Sequence, residues 1–295
     1  MARTAAGAQI TEQHRRAQLA IQAQVIRDFA RLWPLWEGDS TSFGQLVAAT
    51  VPLVKLHHQN SSAVATAYYA AFRKAEKVAG AATPQAAPPV NEEQVVSSLY
   101  ATGEAMTRKA IAAGYSPQAA MQGAVARTSG AVSRHVLNGG RDAITRSIEA
   151  DGRVEAYIRI TDGDPCAFCA MLAGRGGVYL TEDTASFESH DACGCTAEPF
   201  YEGSGMPERN RAFHDLYNRA TREARESSDL NRGTSNDLLN AFRRAYDGQR
   251  PGASPSVPPV TPHPRPGALS EQTERMSDAA VEQMQEWMRN RSSSA

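Results

Sequence analysis

The four cysteines of this 295-residue chain all fall within thirty residues, and a histidine accompanies the second pair. The cluster consists of Cys166, Cys169, His190, Cys193 and Cys195. A CxxC pair followed about twenty residues later by HxxCxC supplies thiol and imidazole groups, which zinc binds in tetrahedral sites. Because protein ligands can fill all four positions, we expect one structural zinc ion rather than a catalytic one. Its ligands should be Cys166, Cys169 and two of the other three residues.

Two other chemistries use cysteines in similar patterns. Two disulfides would also consume the four thiols, but the first residues contain no apolar signal region, which favours a reducing compartment and a metal site. A disulfide between Cys193 and Cys195 would also be strained, because the two residues are too close along the chain. A zinc deaminase shares the Pro-Cys-x-x-Cys beginning, but it requires an upstream His-x-Glu, which this sequence lacks.

The residues around the cysteines predict a small α+β module over 151–202. Apolar and polar side chains alternate from Val154 to Ile160, the pattern of a half-buried strand with Tyr157 and Arg159 on its polar face. A turn at 162–165 then delivers the first cysteine pair. Further strands are predicted at 178–180 and 196–201. So small a sheet buries little apolar surface, and a bound metal would compensate for that deficit.

Residues 1–150 predict a helical domain. Its apolar stripes at helical spacing are Ile21, Val25, Phe29, Leu32 and Trp36; Val64, Tyr68, Phe72 and Ala75; Val95, Leu99 and Met106; and Met121, Val125 and Val132. Pro34 should end the first helix, Asn91 should begin the third with a capping box, and Ser116 should cap the last. We expect the Gly139-Gly140 pair to end that last helix. A lone helical histidine such as His135 is expected to be structural.

The C-terminal part predicts three segments. Residues 203–247 form an arginine-rich helical extension, whose apolar face consists of Phe213, Leu216, Leu238, Leu239, Phe242 and Tyr246. Residues 248–268 hold seven prolines and form an extended linker. Residues 269–295 then predict a docking helix, with Met276, Met284, Trp287 and Met288 on one partner-binding face. The sequence allows this helix to dock on another protein or on its own chain.

Charge is distributed unevenly along a chain whose formal net charge is −1. Residues 151–202 carry 3 Lys/Arg against 10 Asp/Glu, whereas residues 1–150 carry 15 against 10. An acidic module beside mildly basic helices favours contacts with other proteins over a dedicated DNA-binding domain. No apolar run reaches the length of a membrane span. The expected fold is therefore α+β and mostly α: a helical region, a small zinc-stabilised module, and C-terminal helices with a flexible linker.

The run from Tyr157 to Tyr201 resembles the MuF-like minor capsid proteins of tailed bacteriophages, also called the phage head morphogenesis family. The motifs that carry the resemblance are Asp164-Pro-Cys-Ala-Phe-Cys169, Leu172-Ala-Gly174 and His190-Asp-Ala-Cys-Gly-Cys-Thr196. The helical layout is similar to the variant found in actinobacterial phages, which often carries the label capsid maturation protease. The chain departs from the family at Asp191-Ala192, where Pro-Asn is common; this change loosens the turn and removes no ligand.

The resemblance implies a virion protein in the head interior or at the portal vertex, present in the host cytoplasm during assembly. Its partners would be the portal protein, the major capsid or scaffolding protein and packaged DNA, with no membrane. A capsid maturation protease is the alternative, but no nucleophile with a base and an orienting group is recognisable, and neither HExxH nor GxSxG occurs. A zinc-stabilised nucleic-acid-binding module ranks third. We therefore expect a structural morphogenesis protein.

Overall fold

A computed structural model describes residues 4–177, 187, 189–226 and 235–248, and it confirms the mostly helical α+β class. Within these ranges the α-helices are α1 (Ala5–Leu32), α2 (Ser40–Ala75), α3 (Glu92–Tyr100), α4 (Met106–Ala112), α5 (Pro117–Ala150), α6 (Ala167–Gly174), α7 (Glu208–Glu226) and α8 (Ser235–Asp247). A 3-10 turn (Trp33–Leu35) follows α1, and a π-helical turn (Ala101–Ala105) joins α3 to α4. The strands are β1 (Val154–Ile160) and β2 (Thr196–Tyr201).

Three long helices, α1, α2 and α5, pack together and form the body of the protein. Side-chain caps set the beginnings of several helices, because the first amide groups of a helix lack partners within it. The Ser116 hydroxyl accepts from Ala119 N and the Asn91 side chain accepts from Gln94 N, as the sequence predicts. The predicted stripes form most of the core, although Met106 is 39% exposed.

The Gly139-Gly140 pair does not end α5, which continues to Ala150. A Cβ atom at position 139 would overlap the backbone carbonyl of His58, and one at position 140 would lie 2.7 Å from Gln18 Nε2. The two glycines therefore permit the close crossing of α5 with α2 and α1. The prediction was wrong because glycine marks helix ends and close helix contacts alike.

The strands pair antiparallel, with Tyr157 opposite Pro199 and Ile160 opposite Thr196. Strand β2 confirms the prediction, but the half-buried pattern predicted for β1 is wrong. Tyr157 and Arg159, assigned to the polar face, are each only 1% exposed. Tyr157 packs in a cluster with side chains of α2 and α5, and Arg159 lies beside Cys169. The strand predicted at 178–180 lies outside the described residues.

Buried polar contacts attach β2 to the helical body. His14 Nε2 lies 3.0 Å from the Thr196 hydroxyl, and the ring of His14 stacks on Tyr68 at 4.2 Å. The Thr11 hydroxyl donates to the carboxylate of Glu198. Because these contacts are buried, their loss would leave unsatisfied polar groups. The sheet is therefore packed on α1 rather than separate from it.

The C-terminal helices pack on α6. Phe213, Leu216, Phe242 and Tyr246 are buried as predicted, and the Tyr246 hydroxyl donates to Pro165 O at 2.8 Å. The linker predicted at 248–268 lies almost entirely outside the described residues, and the docking helix at 269–295, with Met276, Met284, Trp287 and Met288, lies wholly outside them. Among the helices that are described, none combines the length and apolarity needed to cross a bilayer.

Three buried histidines predict that the fold loses stability in mild acid. Burial lowers the pKa of His14 to about 3 and that of His135 to about 4, and it also lowers the pKa of His58. Below pH ~6.5 these histidines therefore become protonated in the unfolded chain but stay neutral in the folded chain. Each such histidine should lower the free energy of unfolding by up to about 1.4 kcal/mol per pH unit.

Denaturant unfolding at pH 7, 6 and 5 measures this slope. The fully buried His14 should contribute most, so His14→Gln should flatten the pH dependence even if it lowers stability at pH 7. A free energy of unfolding that is constant between pH 7 and pH 5 would contradict the prediction.

Candidate metal centre

The first cysteine pair lies at the beginning of α6. Cys166 is the N-cap residue, and its sulfur accepts the backbone N–H of Cys169 at 3.4 Å. The start of a helix favours negative charge, which suits a thiolate at this position. Cys169 is buried, whereas Cys166 is partly exposed. One turn of helix therefore directs both sulfurs to the same side.

The second ligand segment, residues 189–195, lies along one side of α5. Its contacts are Ala192 N to Gly130 O (3.1 Å), Arg134 Nε to Asp191 Oδ1 (2.7 Å), Ser189 Oγ to Asn138 Oδ1 (3.0 Å), and Arg141 to the carbonyl oxygens of Cys193 and Cys195. Positions 130, 134, 138 and 141 share a helix face because they are spaced by four, four and three residues. The Asp191-Ala192 turn, which departs from the MuF-like pattern, is thus held by α5.

The glycine between the last two cysteines is closely packed. The backbone N–H of Gly194 donates to Asp162 Oδ2 at 3.2 Å. A Cβ atom on Gly194 would lie 2.8 Å from both that oxygen and Leu19 Cδ2. Burial raises the pKa of the Asp162 carboxyl group. The Cys-Gly-Cys turn therefore fits between α1 and the loop after β1.

The structure brings all five predicted ligands together in two groups that share Cys169. The ligand atoms of Cys166, Cys169 and His190 lie within 4.8 Å of one another, and so do those of Cys169, Cys193 and Cys195. Cys166 Sγ and Cys169 Sγ are 3.1 and 3.4 Å from His190 Nε2, and Cys169 Sγ is 3.6 Å from Cys193 Sγ. Tetrahedral zinc ligands stand roughly 3.5–3.8 Å apart, given bonds of about 2.0–2.3 Å. The 3.6 Å between Cys169 and Cys193 falls in this range, whereas the two distances to His190 are shorter. The four cysteines are close enough to one another to be candidates for binding a metal ion.

His190 is oriented with one ring nitrogen toward the sulfurs. Its Nδ1 lies 2.8 Å from the carbonyl oxygen of Asp191, so Nδ1 carries the hydrogen and donates it. This contact directs Nε2 toward Cys166 and Cys169. A backbone carbonyl commonly orients metal-binding histidines in this way. His190 itself is exposed, unlike the three buried thiols.

The thiols perturb one another strongly. Hydrogen bonding with Cys169 lowers the pKa of Cys166 to about 4, and hydrogen bonding with Cys169 also lowers the pKa of Cys193. The hydrogen bond with Cys166 raises the pKa of Cys169 in turn. Adjacent thiolates repel each other, so some of these thiols must retain their protons. A divalent ion would remove this conflict and release protons as it binds.

The disulfide alternative is wrong for this fold, because all four cysteines are free thiols. The 3.6 Å between the sulfurs of Cys169 and Cys193 is far longer than a disulfide bond of about 2.05 Å.

Two fully buried arginines beside the thiols were not anticipated. Arg141 of α5 and Arg159 of β1 are 2% and 1% exposed. Their guanidinium carbons lie 5.3 and 3.8 Å from the centre of the Phe187 ring. No local sequence signal identifies them, because an arginine on a helix or on the polar face of a strand ordinarily faces solvent.

The comparison with protein families gives one match. The model of the VG15 protein family matches residues 6–220, which include all but the first residue of α1, the helices α2 to α6, both strands and every candidate ligand. No curated protein and no solved structure matches the chain significantly.

Proposed function

Because the chain belongs to the VG15 protein family, a family of phage proteins, we propose that it is a minor capsid protein acting in head morphogenesis. Its place would be at or near the portal vertex. One observation carries the proposal: the matched range contains a cluster ordered as CxxC and then HxxCxC-Thr, the order in which the chain resembles MuF-like minor capsid proteins. The convergence of these side chains in space supports a common role for them.

We also propose that the bound metal is one structural zinc ion. The thiol-rich ligand set suits zinc, and three of the sulfur-bearing residues, Cys169, Cys193 and Cys195, are at most 2% exposed. Such burial leaves little access for a substrate, which favours a structural ion over a catalytic one. The ion would crosslink α6 to the segment held on α5 and would offset the thiolate charge.

Protein purified without added metal should contain about one zinc per chain, the content of a single four-ligand site. Elemental analysis measures this ratio, and thiol titration of the native protein provides the control. A folded protein with no metal and four titratable thiols would contradict the zinc proposal.

The proposed partners are the portal protein and the major capsid or scaffolding protein, recruited by residues 269–295. At ~3 Å per residue a proline-stiffened linker could span tens of ångströms. Deleting residues 269–295 should therefore lower incorporation into heads and leave the zinc content and melting temperature of the body unchanged. Trp287→Ala should reproduce much of the loss, because buried tryptophans often dominate binding energies. Normal incorporation with a lowered melting temperature would show that this segment instead stabilises its own chain.

The function itself is tested in assembled particles. The protein should be present in purified heads in a few copies per portal, and its absence from both immature and mature heads would contradict the proposal. Purified protein incubated with the major capsid protein should leave it intact. Specific cleavage that His190→Ala abolishes without unfolding the chain would favour the maturation protease instead. The same holds for Ser204→Ala, which changes the serine of Gly203-Ser204-Gly205, a run that lacks the GxSxG spacing.

A further inference from the structure

The C-terminal pair, α7 and α8, contacts the loop that leads to the first cysteine pair. Arg209 of α7 donates to the carbonyl oxygens of Asp162 and Gly163, at 3.1 and 2.7 Å. The buried Tyr246 of α8 donates its hydroxyl to Pro165 O at 2.8 Å, and Pro165 directly precedes the first cysteine. Both helices therefore hold the backbone of the loop that carries a candidate ligand.

The far end of α6 is held by α7 as well. The buried Asn210 side chain donates to Arg159 O and Ala173 O, both at 2.9 Å. His214 Nδ1 donates to Gly174 O at 2.8 Å. A Cβ atom on Gly174 would lie 2.9 Å from the backbone nitrogen of His214, so there is no room for a side chain between the two helices. The C-terminal pair thus holds the CxxC helix at both of its ends.

Side chains of α6 belong to two separate apolar clusters. Cys169 packs with Cys193 and Cys195. The alanines of α6 pack instead with the C-terminal pair, in a cluster made of Ala167, Ala170, Ala173, Phe213, Leu216, Phe242 and Tyr246. Within the described ranges, neither α7 nor α8 packs extensively on α1, α2 or α5. Helix α6 is therefore the main attachment of the C-terminal pair to the rest of the protein.

The two halves of the candidate metal centre are thus attached to different parts of the protein. Residues 189–195 lie on α5, whereas Cys166 and Cys169 lie on a helix that the C-terminal pair holds. Metal affinity depends on how accurately the surrounding contacts position the ligands. A metal ion bound by both halves would join the C-terminal pair to the helical body.

We propose that Arg209 and Tyr246 are positioning residues of the metal centre, and that the bound metal in turn fixes the C-terminal pair on the body. Such coupling is reciprocal, because an arrangement of α6 that favours the metal is itself favoured by the metal. The inference rests on the zinc ion proposed above and requires Cys166 and Cys169 among its ligands. Residues 249–295 follow α8 in the chain, so the metal would also fix the base of the proposed docking segment.

Chelator competition on the full-length protein tests the positioning residues. Tyr246→Phe and Arg209→Met should each weaken zinc affinity by about 10-fold, the lower end of the range for residues that orient metal ligands. Arg209→Lys should recover part of the loss, because it keeps a donor at this position. Tyr217→Phe and Arg219→Met are the matched controls and should bind zinc like the unchanged protein. They make the same changes at α7 residues that pack beside Phe242 and face solvent, respectively.

Hydrogen exchange tests the reciprocal effect. Removing zinc from the unchanged protein with a chelator should lower amide protection in α7 and α8, although neither helix contributes a ligand. Adding zinc back should restore this protection. Helices α1 and α2 are the internal control and should keep theirs throughout. If the C-terminal pair were only packed on α6 and not coupled to the metal, its protection would be independent of zinc.

Each result has a distinct meaning. A protein without metal would overturn both the zinc proposal and this inference. A zinc-bound protein whose Tyr246→Phe and Arg209→Met variants keep full affinity would overturn the positioning role alone. An equal loss of affinity in the two controls would also overturn that role, because any loosening of the helices would then have the same effect. Unchanged protection of α7 and α8 after zinc removal would overturn the reciprocal effect.

Discussion

Replacing Cys169 with serine should remove the zinc ion that we propose and produce the largest loss of stability among single changes at the site. Cys169 is the one residue common to both ligand groups, and it is 1% exposed. Serine is a poor zinc ligand, and the affinity for a structural zinc ion contributes directly to folding free energy, on the order of 10 kcal/mol in small zinc domains. We expect zinc content near zero and destabilisation of β1, β2 and α6.

Hydrogen exchange identifies the regions of the protein that Cys169→Ser destabilises. Amide protection should fall in β1, α6 and β2, while α1, α2 and α5 keep theirs because their apolar core does not include the cysteines. Treating the unchanged protein with a chelator should have the same effect, and adding zinc back should reverse it. A Cys169→Ser variant that retains one zinc per chain and full protection would show that this cysteine is not a ligand.

Alanine in place of Gly139 should be the most destabilising change in the helical body, lowering the free energy of unfolding by about 2–4 kcal/mol. The added methyl group would overlap the backbone carbonyl of His58, which cannot rotate away as a side chain can. The helices α2 and α5 would have to separate, and other contacts between them would weaken. Denaturant unfolding gives the magnitude.

Gly123 provides the matched control on the same helix. A Cβ atom there would meet only the side chain of Arg127, whose Nη1 lies 3.0 Å away at the end of a flexible chain. Gly123→Ala should therefore be neutral or stabilise the protein by up to about 1 kcal/mol, because alanine has the higher helix propensity. Equal destabilisation by both changes would indicate that backbone effects, rather than the helix crossing, explain the loss at Gly139.

The parts of the fold that the sequence predicted depend on local patterns. Metal-ligand types at short spacing predicted the convergence of Cys166 and Cys169 with His190. Side-chain caps act within three residues, so Asn91 and Ser116 also marked helix beginnings correctly. In each case the residues that determine the structure are near one another in the chain.

The remaining parts depend on partners far along the chain. Arg141 binds carbonyl groups more than fifty residues away, and Gly139 is needed because of His58 on another helix. The burial of Arg159 reverses the solvent-facing position that alternation predicts for a strand. No periodicity encodes such pairings, because either member alone would be acceptable on a solvent-exposed surface.

The contacts between α5 and residues 189–195 make the ligand site sensitive to helical phase. Each residue of an α-helix advances the side-chain direction by about 100°. One residue inserted or removed between Gly130 and Arg141 would therefore turn the last contacts away from the cysteine turn, although every side chain would still be present. Length changes in the connection between α6 and Phe187 leave this phase unchanged, because they lie outside the helix. Divergence in this protein should therefore accumulate in the connection, while the length of α5 stays fixed.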